Sequence, residues 1–137
     1  MSTRREFLTL VAGMPVLASA TASARSRHRR PSETVRIGLI GLGGRCKDIA
    51  KTCVEIPELE VVAICDCFKP RLDDWMSKIG EKRGWKPYLD FREMIEQEKL
   101  DGVMVETTTH ARAWIVCNAM AMGCDVYIEK PMCLTIA

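Results

Sequence analysis

"IGLIGLGGRCKD", Ile37 to Asp48, is the stretch whose reading decides the fold. An apolar run enters a cluster of glycines, and apolar residues then return at helical spacing, with Cys46, Ile49, Ala50 and Cys53 at i, i+3, i+4 and i+7. A strand, a tight turn and a helix therefore follow one another without a linker. Gly41, Leu42, Gly43, Gly44, Arg45 and Cys46 fill the six places of G-x-G-x-x-G. Gly41 permits the tight turn and Gly43 lets backbone approach a pyrophosphate. The helix N-terminus offers free N–H groups and the positive end of its dipole. The last place needs only a small residue that packs helix against strand. Cys46 opens the apolar stripe, so its thiol is expected to face the sheet and widen the helix seat slightly without costing the site.

Outward from this turn, apolar runs alternate with helical periods. "VRIGLI" precedes it, and "LEVVAICD", Leu59 to Asp66, is a second β-branched run. Leu72, Trp75, Met76 and Ile79 make a helical stripe that Gly80 is expected to stop. A short strand near "WKPYL" leads to Asp90, which with Glu93 makes an aspartate variant of the capping box for a helix carrying Phe91, Met94 and Ile95. "GVMVE" is a fourth strand. A helix carrying Ala111, Trp114, Ile115, Ala119 and Met122 ends at Gly123, and "DVYIEK" is a fifth strand. Apolar strands alternating with helices imply a parallel sheet covered on both faces, with right-handed crossovers. The expected class is α/β, a doubly wound parallel sheet of the Rossmann type, over residues 35–137.

Asp66 strengthens the nucleotide reading. It stands at the end of the second strand, where an acidic side chain accepts hydrogen bonds from the adenosine ribose hydroxyls. A carboxylate there repels a 2'-phosphate, which favours NAD. Lys69 and Arg71 lie just beyond and keep NADP open.

The N-terminus reads differently. "MSTRREFLTLVAGMPVLASATASA" has paired Arg4 and Arg5, an apolar stretch from Phe7 to Ala18, and a small-residue tail, the order of an export signal over residues 1–24. The apolar stretch is too short to be a stable membrane anchor. "TRREFL" resembles the twin-arginine export motif, which implies the twin-arginine machinery as a partner and a periplasmic location. Residues 25–34, "RSRHRRPSET", form a basic linker. The net charge of +2, with no basic patch interleaved with aromatics, speaks against a nucleic-acid partner. The seven cysteines fall mostly in apolar runs and form no Cys-x-x-Cys pair, so buried reduced thiols are expected. Cys65 and Cys67 would point the same way on a strand. With only two histidines in the chain, no metal site is expected.

The last stretch, "TTTHARAWIVCNAMAMGCDVYIEKPMCLTIA", resembles the Gfo/Idh/MocA oxidoreductases. Thr107, Thr108 and His110 match that family's Thr-Pro-x-His, Gly123 its Ala-Gly-Lys, and Glu129, Lys130 and Pro131 its Glu-Lys-Pro. The resemblance implies hydride transfer to or from a sugar- or polyol-type substrate. It places Thr107, Thr108, His110, Glu129 and Lys130 at the cofactor and makes Lys130 the catalytic acid/base. It also implies a longer, homo-oligomeric protein with a second α/β domain, this piece alone binding cofactor without turnover. Alternatives are an NAD-dependent glycoside hydrolase of a related branch, which tends to lose Glu-Lys-Pro, and a non-catalytic nucleotide-binding fragment. The chain departs from the pattern at Cys46, at Thr108, which replaces proline, and at Glu106, which replaces a small residue. A carboxylate at Glu106 would repel phosphates unless it points away or pairs with Arg112 or Lys130.

Overall fold

The computed structural model describes residues 34–135; the expected export signal and all but the last residue of the expected linker lie outside the described residues. Five parallel strands form one sheet in the order β3-β2-β1-β4-β5. They are β1 (Val35–Ile40), β2 (Leu59–Cys65), β3 (Lys86–Tyr88), β4 (Gly102–Val105) and β5 (Asp125–Ile128). The doubly wound parallel sheet expected from the alternation is present.

Side-chain alternation along the strands divides the core in two. On one face α1 (Gly44–Glu55) and α2 (Lys69–Trp75) lay Cys46, Ile49, Cys53, Leu72 and Trp75 against Ile37, Leu39 and Ile64. On the other, α4 (Phe91–Glu98) and α5 (Thr109–Ala121) lay Phe91, Met94, Ile95, Ile115 and Ala119 against Ile40, Ala63, Val103 and Val105. The β1–β2 register shifts once, Ile37 pairing with Val61 and Gly38 with Ala63. That extra residue returns Ile64 to the α1 side.

Helix boundaries follow local chemistry. The Asp90 side chain caps α4 by accepting the Arg92 backbone N–H at 2.9 Å. Gly80 does not stop the second helix. The chain runs on through a π turn, Met76–Gly80, into α3 (Glu81–Arg83), and Gly84, with φ of 70°, ends it. Gly80 keeps helical dihedrals, φ −60° and ψ −49°, so the chain passes through it without a stop.

Two further expectations change. Trp114 is not in the buried stripe of α5: it is 55 % exposed and meets Phe91 edge-on at 5.4 Å. Arg112 takes the inward place with Ile115 and Ala119, for a reason that lies in the site. Cys65 ends β2 and is buried, whereas Cys67 lies past the strand and is exposed, so the two do not share a direction. Four cysteines (46, 53, 65 and 124) are buried; 67, 117 and 133 are exposed. No helix among the described residues is long and apolar enough to cross a membrane.

Candidate dinucleotide-binding site

The strand order reverses at β1, which has β2 on one side and β4 on the other. In open parallel sheets the crevice outside the C-terminal ends of strands at such a switch point is where ligands bind. The glycine turn opens into it. Gly41 has φ of 87°, and a Cβ there would stand 2.8 Å from Thr107 Cγ2 and 2.9 Å from the Thr107 backbone nitrogen. The turn is thus pressed onto the end of β4 with no room for a side chain.

Gly43 is the opposite case. It precedes α1 with φ of −76°, and nothing lies within 4 Å of where its Cβ would be. Among the described residues no side chain caps α1. Uncapped N–H groups facing open space are what an oxyanion of a pyrophosphate requires.

Asp66 is 5 % exposed just past β2. Its Oδ2 accepts the Leu42 N–H at 2.9 Å and Arg71 at 3.2 Å, and its Oδ1 accepts the Phe68 N–H at 2.9 Å. A carboxylate has about four lone-pair sites, so room remains for a ribose hydroxyl. Leu42 itself contributes backbone only, its side chain being buried in the core. The cations that could have served a 2'-phosphate are both engaged, Arg71 with Asp66 and Lys69 with Asp73 at 2.7 Å.

The other wall comes from β4 and β5. Arg45, on the first turn of α1, donates to Glu129 Oε1 from Nε at 2.8 Å and from a terminal nitrogen at 2.6 Å. This contact holds the Glu129 carboxyl below the usual range and ties the glycine turn to the Glu129-Lys130-Pro131 segment. Arg112 reaches out of α5 to donate to the backbone oxygens of Glu129 and Pro131, each at 2.7 Å, and to that of Thr107. Those carbonyls lie past the strand ends, beyond the ladder, and Arg112 supplies their donors. This explains its inward place on the helix. Lys130, Thr108 and His110 are exposed at the same end of the sheet, and Thr107 is partly buried.

Burial pushes the Cys46 thiol up to about 12, helped by the carboxylates of Glu106 and Asp66. It is a fully buried packing group with no thiolate character near neutrality. Glu106 is not paired with Arg112 or Lys130: both its carboxylate oxygens are buried with no hydrogen-bond partner, as are Thr107 Oγ1 and Arg112 Nε. Among the described residues no cluster of three or more His, Cys, Asp or Glu could hold a metal ion.

Residues 35–137 match the model of the Gfo/Idh/MocA oxidoreductases, described as an oxidoreductase family with an NAD-binding Rossmann fold. The chain belongs to this family. The chain is 32 % identical over 111 residues to glycosyl hydrolase family 109 protein 1 of Bacteroides thetaiotaomicron, covering 76 % of this chain and 24 % of that one. It is 27 % identical over 110 residues to the alpha-N-acetylgalactosaminidase of Shewanella oneidensis, with the same coverage. Scyllo-inositol dehydrogenase of Lactobacillus casei, solved with NAD(H) and scyllo-inositol, superposes with a TM-score of 0.67 at 25 % identity, covering 76 % of this chain and 30 % of that one. The chain spans about a quarter of the length of the curated relatives it matches.

As the NAD-binding domain of a Gfo/Idh/MocA protein, the described region fits its cofactor: an open glycine cradle, an uncapped helix and an acid with a free lone pair. Sequence reasoning missed Arg112 as the clamp on the Glu-Lys-Pro segment. Its only signal was a charged residue among the apolar positions of a helix packed on a sheet.

Proposed function

We propose that this chain is the cofactor-binding part of an NAD-dependent oxidoreductase that acts on a sugar or polyol. The observation that carries the reading is the double tie on Glu129-Lys130-Pro131, by Arg45 from the first turn of α1 and Arg112 from α5, which supports a place for Lys130 beside the bound cofactor. When bound, the nicotinamide supplies the hydride acceptor or donor. The chain's own residues do the rest. Gly43, Gly44 and the first turn of α1 bind the pyrophosphate, Asp66 takes one ribose hydroxyl on its remaining lone pair, and Thr107, Thr108 and His110 line the nicotinamide side. Lys130 Nζ holds or releases the proton of the reacting hydroxyl. The inositol dehydrogenase likeness supports a polyol-type substrate.

A glycoside hydrolase is the second reading, favoured by the 32 % identity to a family 109 hydrolase. Retention of Glu129-Lys130-Pro131 weighs for the dehydrogenase.

Calorimetry on the chain should show NAD+ binding more tightly than NADP+, with Asp66→Ala narrowing the gap. Equal affinities before mutation would overturn the role given to Asp66. In the longer protein, polyol-dependent formation of NADH separates the first reading from the second, which requires release of the aglycone from an aryl N-acetylgalactosaminide with no net NADH. Lys130→Ala should cut dehydrogenase turnover by roughly 10²–10⁴-fold while NAD+ affinity holds. Near-parent rates would make Lys130 a bystander.

The same reading extends to location. Arg4 and Arg5, followed by an apolar stretch and an Ala-rich tail, support export by the twin-arginine route. That route carries folded proteins, so NAD is loaded in the cytoplasm and crosses bound.

A further inference from the structure

Glu106 is the group in this site with no use in the reading above. It follows β4, and its backbone N–H donates to the Ile40 carbonyl at 2.8 Å, extending the ladder by one residue. Alternation sends its side chain to the α1 side with Met104, whose sulfur lies 3.4 Å from Cys53 Sγ. The carboxyl therefore sits under the first turns of α1, where the uncapped N–H groups begin, and its backbone carbonyl carbon is 3.0 Å from where a Gly41 Cβ would be.

The groups facing it are Arg45, Cys46 and Cys53 from α1, Arg112 from α5, and Glu129 from the end of β5. Neither nearby cation bonds to it. Arg45 is committed to Glu129, and the terminal nitrogens of Arg112 are committed to three carbonyls. A buried carboxylate without partners favours its neutral form. Burial pushes Glu106 above the usual carboxylate range, the Glu129 charge adds to this, and Arg112 and Arg45 oppose it. A pyrophosphate arriving at Gly43–Arg45 brings more negative charge onto the same spot and competes for Arg45.

We propose that Glu106 is a proton-accepting member of the cofactor site, so that occupation of the glycine cradle by the NAD pyrophosphate draws a proton from solvent onto the Glu106 carboxylate. The proposal rests on the NAD-binding reading. No bond but Glu106 O–H forms, and solvent supplies the proton. The sign follows from linkage: the bound state holds more protons, so affinity falls as pH rises between the proton affinities of the free and bound forms, by at most about tenfold per pH unit.

The test is titration of the full chain with NAD+ by calorimetry in phosphate and in Tris, whose ionisation enthalpies differ, across about pH 5 to 9. The expected result is net proton uptake on binding, rising to a fraction of one proton per site, together with weakening affinity at higher pH. Glu106→Gln, which mimics the neutral form, should bind NAD+ with no uptake and a flat pH profile. Binding without proton exchange at every pH, or uptake of the same size in Glu106→Gln, overturns the proposal. Should that variant not fold, ¹³C NMR titration of the Glu106 carboxyl in the parent decides: a midpoint in the ordinary glutamate range that NAD+ does not move refutes it. Absence of NAD+ binding at any pH would instead sink the function proposed above.

Discussion

Two glycines of one turn should fail in opposite ways when given the same methyl group. At Gly41 an alanine must adopt φ of 87° and place its Cβ within 3.0 Å of the Thr107 side chain, the Thr107 nitrogen and the Glu106 carbonyl carbon. Two of those three atoms are backbone of the strand end and cannot swing aside. The left-handed conformation costs about 1–2 kcal/mol, and overpacking against fixed backbone adds about 1–3 kcal/mol. Gly41→Ala should therefore lose about 2–5 kcal/mol, which for a domain of this size lowers Tm by roughly 10–25 °C. At Gly43, φ is −76° and the same Cβ meets nothing within 4 Å. The small cost of alanine at a helix N-cap is offset by the reduced freedom of the unfolded chain, so stability should stay within about 0.5 kcal/mol. The methyl instead occupies the approach of the pyrophosphate, and NAD+ affinity should fall by an order of magnitude or more. Urea denaturation and calorimetric titration with NAD+ on both variants check the pair. A Gly41→Ala protein as stable as the parent, or a Gly43→Ala protein with parent affinity, would refute the division of labour drawn from the turn's geometry.

Arg112→Lys keeps the charge but cannot span three carbonyls, and hydrogen bonds to charged groups contribute about 1.5–3 kcal/mol each at most; a loss of about 2–4 kcal/mol is expected, and an unchanged urea midpoint would remove its clamp role. Burial by itself would raise the Glu98 carboxyl, but hydrogen bonds from Tyr88 and Lys86 and the charges of Lys86 and Arg36 hold it below the usual range. The stability it contributes is thus present above the unfolded-state pKa and lost as pH falls through the lower folded value, so the gap between parent and Glu98→Gln should shrink in urea titrations run progressively more acidic. Replacing Arg4 and Arg5 by lysine in the longer protein should leave it in the cytoplasm; unchanged export would discard the twin-arginine proposal, and exported parent protein free of nucleotide would discard loading before export.

Periodicity alone determined most of this fold. The stripe of Cys46, Ile49, Ala50 and Cys53 is the buried face of α1, and Phe91, Met94 and Ile95 that of α4, because a 3.6-residue repeat read from sequence is the same repeat that packs on a sheet. The strand–turn–helix at Gly41 to Cys46 was equally legible, since glycine spacing encodes backbone conformation locally. What tertiary structure decided were the places where local rules compete with distant demands. Gly80 has the look of a helix stop, yet its backbone stays in the right-handed helical region and the left-handed stop falls to Gly84. Trp114 has the look of core, yet Arg112 takes the inward face because carbonyls of Thr107, Glu129 and Pro131 converge there from two separate strand ends. The pairing of Arg45 with Glu129, and the isolation of Glu106 that follows from it, depend on bringing residues far apart in the chain to one end of one sheet. No spacing rule reports a charge left without a partner, because that is a property of everything else that has already been paired.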